Sequence, residues 1–249
     1  YPSTLVMLSV PAQVAGVQQL VVATPPLVGT ADVEIDSTVL GLCHLLEIET
    51  VYRIGGFALA ALAIGTDTIS PVEMIAGPSN IYGQKAKQQL FGTVGIDGVY
   101  GPSEIVVLAD ETANTLWIAA DLLAQAEHNP GTAILITTEK LVIDKINLSL
   151  KKLLYSYKGN TDLSENCVLV QTPDLSAAYE LIDELAPEHL TLAVAEPKKA
   201  LMQVQNAGAI FLGRYTPEAI GDYVAGPSHV LPTAQSARYA SGLSVLDFL

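Results

Sequence analysis

Two of the four histidines in this sequence directly follow a glutamate, and a third lies in one short segment with an aspartate. Imidazole and carboxylate are the side chains that most readily bind zinc or transfer protons near neutral pH. Half of the chain is hydrophobic, and packing alone gives little reason to place so few histidines in this way. The segments therefore indicate an active site. They are Gln125-Ala126-Glu127-His128, Pro187-Glu188-His189, and the stretch from Gly221-Asp222-Tyr223 to His229-Val230.

Gln125 and His128 are three residues apart near the end of a predicted helix, so their side chains share one face. Pro130-Gly131 ends that helix, which predicts that the pair lies near solvent rather than within the core. A Gln oxygen and an imidazole nitrogen can both coordinate zinc, although Gln is an uncommon ligand. From the spacing alone, a polar pair at a helix end is the simpler interpretation.

Glu188 and His189 follow a predicted helix and lead directly into an apolar strand. Adjacent Glu and His suit two proton-handling roles, such as activating a water molecule and moving a substrate proton. A surface glutamate beside a structural histidine is the alternative. The position at a strand entrance favours the functional interpretation.

Asp222 and His229 lie in a segment bracketed by glycines and prolines, which is typical of the wall of a site. Asp222 could bind zinc, and His229 could be a ligand or a substrate contact. A plain surface loop explains this segment equally well. His44, flanked by leucines and a cysteine in a predicted helix, is given no chemistry.

Two similar turns, Gly77-Pro78-Ser79-Asn80 and Gly101-Pro102-Ser103-Glu104, lie at predicted strand boundaries. Glycine-containing turns at helix N-termini can offer backbone N–H groups to phosphate or carboxylate, although the pattern is weak by itself. The GxGxxG dinucleotide-binding motif is absent. Any nucleotide site is therefore of another type.

Composition excludes several classes of protein. The chain has 249 residues, a net charge of −14 and only 15% charged residues, which disfavours nucleic-acid and anionic-membrane partners. We expect no transmembrane helix, because no uninterrupted apolar run reaches about 18 residues. We also expect no signal peptide, because no basic region precedes the first apolar stretch. The two cysteines are far apart and predict reduced, buried thiols in a cytoplasm-like compartment.

Alternating strand and helix patterns predict an α/β fold with two Rossmann-like domains, each a largely parallel sheet flanked by helices. We place the domains at 1–100, on the cofactor side, and at 101–249, carrying the zinc and catalytic residues, with the junction at 98–102. Predicted strands are 19–24, 50–54, 73–76, 104–109, 133–137, 167–171, 191–195 and 209–212. Predicted helices are 3–17, 37–46, 57–64, 81–91, 115–126, 139–157 and 174–185.

Taken together, several segments resemble the histidinol dehydrogenase family, and they occur in the family's order along essentially the whole chain. The matching stretches are Ala76-Gly77-Pro78-Ser79-Asn80-Ile81-Tyr82, Gly101-Pro102-Ser103-Glu104, Asp121-Leu122-Leu123-Ala124-Gln125-Ala126-Glu127-His128, Ala186-Pro187-Glu188-His189-Leu190, and Gly221-Asp222-Tyr223 to His229-Val230-Leu231-Pro232-Thr233.

The resemblance implies a homodimeric, cytoplasmic (or, in a plant, plastid) oxidoreductase of histidine biosynthesis. Such an enzyme oxidises L-histidinol through L-histidinaldehyde to L-histidine, using NAD twice and a bound zinc ion. Within this family Glu188 would activate water and His189 would be the general base, while neither cysteine matches a catalytic position. The implied zinc ligands are Gln125, His128 and Asp222. The implied substrate contacts are Ser103, Gln125, His128, His189, Asp222 and His229, with Asn80 near NAD.

The sequence also departs from the family pattern. Gly55-Gly56-Phe57-Ala58 stands where the family usually has Gly-Gly-Ala-Gln, so a cofactor-contacting glutamine is missing. Family chains extend further at both ends. The resemblance implies that strands and a cofactor-site tyrosine precede residue 1. It also implies that a zinc-binding histidine and a substrate-binding glutamate follow Leu249 and come from the partner of a swapped dimer.

We therefore expect these 249 residues alone to bind zinc poorly and to lack full activity. Two alternatives stay open. One is a zinc hydrolase that uses Glu188 to activate water and needs no NAD. The other is a catalytically impaired fragment or paralogue that binds its ligand without turnover.

Overall fold

The computed structural model describes residues 2–27, 34–128, 130–156 and 166–249. They form two compact units. The first contains 1–100 together with Ser228–Val230 and Leu243–Leu249, and the second contains Gly101–Pro227 and Leu231–Gly242. Two segments from the end of the chain thus belong to the first unit, so the division does not follow a single cut near residue 100.

The second unit contains a five-stranded, entirely parallel sheet, which confirms the predicted α/β fold class. Its strands lie in the order β7-β6-β5-β8-β9. They are β5 (Ser103–Ala109), β6 (Gly131–Thr137), β7 (Cys167–Gln171), β8 (His189–Ala193) and β9 (Ala209–Leu212). The accompanying helices are α5 (Thr115–Ala126), α6 (Lys140–Ser156), α7 (Leu175–Leu185) and α8 (Pro197–Leu201).

Two hydrophobic layers cover this sheet, because successive side chains of a strand point to opposite faces. Ile105 and Val107 pack in one cluster with residues of α5 and α6. Val106 and Leu108 pack in the other cluster with residues of α7 and α8. The central strands are covered on both faces and so read as continuous apolar runs in the sequence.

Leu122 of α5 is fully buried in the first of these clusters and provides a test of the packing. We expect Leu122→Ala to lower the free energy of unfolding by about 2–5 kcal/mol, because it removes buried methyl groups and leaves a cavity. Urea denaturation measures this change. Leu148→Ala on α6, where the side chain is 55% exposed, is the control and should change it by about 0.5 kcal/mol or less. Equal effects of the two substitutions would contradict the packing.

The first unit also has parallel strand pairs and helices, but its strands are short. Among its described residues they form two separate two-stranded sheets, β1-β2 and β3-β4, rather than one continuous sheet. Strands of two or three residues with mostly half-buried side chains cannot support a wide, doubly covered sheet. The strands are β1 (Val21–Ala23), β2 (Thr50–Tyr52), β3 (Met74–Ile75) and β4 (Gly95–Ile96). The helices are α1 (Pro2–Val14), α2 (Ser37–Leu45), α3 (Ala58–Ile64) and α4 (Ile81–Leu90).

Some local expectations need correction. Strand β8 begins at His189, two residues before the predicted start, which brings the histidine into the sheet itself. Helix α8 was not predicted, because five residues are too few to show a helical period. Both cysteines are free thiols as predicted, but only Cys43 is buried, and Cys167 is half buried at an edge strand. Among the described residues no helix combines the length and apolarity needed to cross a membrane.

Candidate functional site

Glu188 directly precedes β8 and His189 is its first residue, and β8 is an inner strand of the second unit's sheet, between β5 and β9. Both side chains are buried, with 8% and 5% of their residue surfaces exposed. His189 has the same parity along the strand as Ala193, which packs in the cluster containing α5, so its side chain points to the α5 face. The predicted pair at the strand entrance is therefore inside the protein rather than on its surface.

Two hydrogen bonds hold the Glu188 carboxylate. The Ser103 hydroxyl donates to Oε2 at 2.7 Å, and the backbone N–H of Glu104 donates to the same oxygen at 3.1 Å. Burial nevertheless raises the pKa of Glu188 to about 7, because the two hydrogen bonds only partly offset the lost hydration of the charge. A carboxyl group that titrates near neutral pH can both accept and release a proton.

The imidazole of His189 is held in a defined tautomer. Its Nδ1 lies 3.3 Å from the backbone oxygen of Glu104. A carbonyl oxygen can only accept, so this contact places the hydrogen on Nδ1 and leaves the basic lone pair on Nε2. Nδ1 is also 3.7 Å from Oε2 of Glu188, while Nε2 is 3.7 Å from Oε1 of Glu218. The ring can therefore take up a proton at Nε2.

Glu218 and Asp222 complete an acidic cluster around this imidazole. One atom each of His189, Glu218 and Asp222 lies within 4.8 Å of the other two, close enough to share a metal ion. Burial, with a smaller contribution from the charges of Asp222 and Asp121, raises the pKa of Glu218 to about 7. Carboxyl groups in such a cluster favour a bound cation, because the cation stabilises their charged forms.

Gln125 lies within the same network. Its Oε1 is 3.4 Å from the hydroxyl of Ser103, and its Nε2 has no hydrogen-bond partner although the residue is only 2% exposed. The prediction that Gln125 lies near solvent is wrong, because the last turn of α5 packs its inner face onto the sheet. A buried amide without a full set of partners is expected at a position that contacts a ligand.

His128 is exposed beyond the C-terminal end of α5, as predicted. Its Nδ1 lies 3.0 Å from the backbone oxygen of Ala124. The hydrogen is therefore on Nδ1, and the lone pair of Nε2 can bind a metal ion. An imidazole nitrogen, an amide oxygen and a carboxylate are donor types that fit zinc. Among the described His, Cys, Asp and Glu residues, the ligating atoms that lie within 4.8 Å of one another are, however, those of His189, Glu218 and Asp222.

Two predicted site residues belong to the first unit. Asn80 is exposed and caps the N-terminus of α4, where its side chain accepts a hydrogen bond from the N–H of Gly83 at 3.0 Å. His229 is half buried, and its Nε2 lies 3.2 Å from the hydroxyl of Thr4. The contacts that join Ser103, Gln125, Glu188, His189 and Asp222 all lie within the second unit.

The turn that precedes α4 is fixed by a buried ion pair. Lys87 and Asp97 form this pair, with side-chain exposures of 1% and 0%. Lys87 Nζ donates to the backbone oxygen of Gly77 at 3.0 Å, and Asp97 Oδ2 accepts from the Gly77 N–H at 2.7 Å. Gly77 has a φ of 126°, a conformation that favours glycine. These contacts hold the Gly77-Pro78-Ser79-Asn80 turn in one geometry.

Sequence reasoning missed Glu218 and Asp121. The available signal was spacing: Glu218 precedes Asp222 by four residues, and Asp121 precedes Gln125 by four residues on one helix. In α5 that spacing places Asp121 and Gln125 on the same face. The 3₁₀-helix Glu218–Ile220, which turns Glu218 inward, left no recognisable pattern in the sequence.

Asp121 predicts a specific pH dependence of stability. Burial raises its pKa from 3.8 to about 6, although a hydrogen bond from the backbone of Glu218 lowers the pKa and partly opposes this shift. The carboxyl group of Asp121 therefore binds its proton more tightly in the folded protein than in the unfolded chain. The contribution to stability is therefore complete below the unfolded pKa and is lost as the pH rises through about 6.

We therefore expect Asp121→Asn to raise the free energy of unfolding at pH 7.5 relative to the wild type, and to lose that advantage near pH 4. Urea denaturation of the metal-free protein across this range tests the expectation. Asp144→Asn, at an exposed carboxylate on α6, is the control and should leave the pH dependence unchanged. If the free energy of unfolding of Asp121→Asn changed with pH as steeply as that of the wild type, Asp121 would not be the source of the pH dependence.

The whole chain is similar in sequence to proteins of one family. A family model described as histidinol dehydrogenase matches residues 1–249. The histidinol dehydrogenase of Rhodospirillum rubrum is 48% identical over 256 residues, a match that covers 100% of this chain and 58% of that protein. The histidinol dehydrogenase of Rhizobium meliloti is 48% identical over 255 residues, with the same two coverages. The chain thus spans 58% of the length of these two relatives.

A solved structure is similar as well. The crystal structure of histidinol dehydrogenase from Elizabethkingia anophelis matches with a TM-score of 0.93 at 35% identity. The match covers 99% of this chain and 58% of that one. The similarity in structure therefore extends over essentially all of the 249 residues.

Proposed function

The chain belongs to the histidinol dehydrogenase family, and on this premise we propose that the protein oxidises L-histidinol to L-histidinaldehyde and then to L-histidine. Bound NAD would supply the hydride acceptor for both steps. The observation that carries the proposal is the buried Glu188-His189 pair, in which the contact with Glu104 leaves the basic lone pair on Nε2. Such a pair supplies both a proton acceptor for an alcohol and a group that activates water.

His189 takes the proton of the substrate's hydroxyl group in the first step. The O–H bond breaks and an N–H bond forms at Nε2, and a bound nicotinamide would take the hydride from the carbinol carbon. The backbone carbonyl of Glu104 keeps the hydrogen on Nδ1, so the other nitrogen stays ready to accept. Burial of the ring excludes bulk water as a competing proton acceptor.

Glu188 activates the water molecule that converts the aldehyde into its hydrate before the second hydride transfer. Ser103 and the Glu104 N–H both donate to Oε2, so we assign the water to Oε1. A pKa of about 7 suits a general base near neutral pH. A large fraction of the Glu188 side chain is then ionised, and the carboxylate is basic enough to accept a proton from water. Below that pH the group is protonated, and the rate of the second step should fall.

Gln125, His128 and Asp222 are the proposed zinc ligands of this chain, with Ser103 and His229 as further substrate contacts. Support for zinc comes from the tautomer of His128, which leaves a lone pair on Nε2. The unpartnered amide nitrogen of Gln125 supports a contact with an acceptor atom of the substrate. When bound, zinc supplies a fixed attachment for the nitrogen atoms of the substrate and so orients the carbinol carbon.

Asn80 is the proposed contact to NAD. Support comes from its place at the N-terminus of α4, behind a turn that Lys87 and Asp97 hold rigidly. In the segment Gly55-Gly56-Phe57-Ala58, Ala58 stands where the family has the glutamine, and the side chain of Phe57 is 89% exposed. We also propose that the complete protein is a homodimer in which each subunit contributes residues to its partner's site.

The proposal is tested with the complete protein, supplied with zinc, L-histidinol and NAD. We expect NADH to form, and we expect formation to stop when a chelator removes zinc and to resume when zinc is restored. Calorimetry with NAD alone should show binding. Hydrolytic activity without NAD would favour the zinc hydrolase, and histidinol binding without any NADH would favour the protein that binds without turnover. Either result would contradict the proposed function.

A further inference from the structure

We propose that Glu218 is a positioning residue for His189. Its carboxylate faces the Nε2 side of the imidazole and stabilises the imidazolium that forms when the ring accepts the substrate proton. The inference rests on the proposed function, because it assigns the base to His189. Glu218 is not part of the sequence motifs, nor is it one of the site residues that the family resemblance implies.

The first argument is the placement of the ring between two fixed acceptors. The Glu104 carbonyl lies 3.3 Å from Nδ1, and Oε1 of Glu218 lies 3.7 Å from Nε2 on the other side. A separation of 3.7 Å is longer than a hydrogen bond, so Glu218 does not occupy the lone pair of Nε2. The carboxylate is nevertheless close enough to attract a charge on that nitrogen.

The second argument is burial. The side chains of His189 and Glu218 are 6% and 9% exposed, so water screens their interaction weakly. A buried imidazolium without a counter-charge is unfavourable, and a carboxylate directly beside it offsets that cost. Glu188 lies at the Nδ1 side of the ring, and its proposed task is to bind water. Glu218 is therefore the carboxylate positioned to stabilise the charge at Nε2.

The third argument is how the fold fixes Glu218. The residue begins the 3₁₀-helix Glu218–Ile220, with Pro217 as the N-cap in extended conformation. The Gly221 N–H donates to the Glu218 backbone oxygen at 2.9 Å and closes this turn. Phe211 approaches closely at Gly221, where an added Cβ would lie 2.8 Å from its ring. The aromatic ring also lies 6.0 Å from the His189 ring, centroid to centroid. Phe211 of β9 thus packs against both the turn that carries Glu218 and the ring of His189.

The test compares Glu218→Gln with the wild type in the complete, zinc-loaded protein. We expect kcat for histidinol oxidation to fall by about 10–100-fold, since a buried charge beside the base is lost while the base remains. We expect KM for histidinol and the zinc content to change little. Glu196→Gln, at an exposed ion pair with Lys199, is the matched control and should keep wild-type kinetics.

Nitrogen-15 NMR of the His189 ring gives a readout that does not depend on turnover. Both proteins should show the hydrogen on Nδ1 of the neutral ring. In Glu218→Gln the ring should take up its second proton only at a lower pH than in the wild type, because the neighbouring negative charge is lost. If Glu218→Gln does not fold, Glu218→Asp, which keeps the charge, should show a smaller loss of kcat. Loss of zinc from Glu218→Gln would make Glu218 a metal ligand and overturn the inference.

The two proposals fail in different ways. A wild-type protein that forms no NADH from histidinol would contradict the proposed function, and the NMR comparison would still decide the role of Glu218. A wild-type protein that turns over, together with an unchanged kcat and an unchanged His189 spectrum in Glu218→Gln, would overturn the role of Glu218 alone.

Discussion

His189→Asn is expected to lower kcat for histidinol oxidation by about 10²–10⁴-fold, the range for loss of a general base. The asparagine side chain fits the space and can still donate to the Glu104 carbonyl, which lies 3.3 Å from Nδ1 in the wild type. It cannot accept the proton that Nε2 takes up. The first step should therefore slow, and the second step should slow with it because its substrate no longer forms.

The measurement is the rate of NADH formation by the complete, zinc-loaded protein, together with a urea unfolding curve for each variant. His44→Asn is a matched control, because His44 is exposed on α2 and carries no assigned chemistry. It should keep wild-type kcat. A folded His189→Asn variant with a kcat within about threefold of the wild type would remove His189 from the role of base.

Glu188→Gln is expected to separate the two oxidation steps. Both hydrogen bonds to Glu188 end on a single oxygen, Oε2, so the one amide oxygen of glutamine can accept both of them. The fold and the position of the side chain should persist, and only the ability to take a proton from water is lost. Hydration of the aldehyde should then slow by about 10²–10⁴-fold while the alcohol step continues.

Product analysis by mass spectrometry measures this separation. In Glu188→Gln we expect histidinaldehyde to accumulate and the yield of NADH per histidinol to fall toward half of the wild-type value. Glu180→Gln on the exposed side of α7 is the control and should leave the yield unchanged. Equal loss of both steps in Glu188→Gln would show that Glu188 does not act only on water.

The fold of the second unit could be predicted closely from the sequence, and the reason is burial on both faces. Strands such as Ser103–Ala109 are continuous apolar runs, and α5 is capped by Asn114, whose side chain accepts from two backbone N–H groups. The apolar run predicts the strand, and the capping asparagine marks the start of the helix. In the first unit the strands are too short for a pattern to show that they form separate pairs.

The site was predictable where chemistry and sequence neighbours coincide. Glu188 and His189 are adjacent, and the structure places them in one buried network with Ser103 and Gln125. Glu218 could not be found this way, because its contact with His189 depends on the pairing of β8 with β9 and on the 3₁₀-helix that follows. Long-range contacts of that kind have no local sequence signal.

The most direct measurement is the amount of NADH formed for each L-histidinol converted to L-histidine by the complete, zinc-loaded wild-type protein. Two NADH per histidine is the predicted result, because the base His189 and the water-activating Glu188 together support two successive hydride transfers. Histidinol consumption without NADH, or no histidine at all in a folded and zinc-loaded protein that binds NAD, would contradict the assignment.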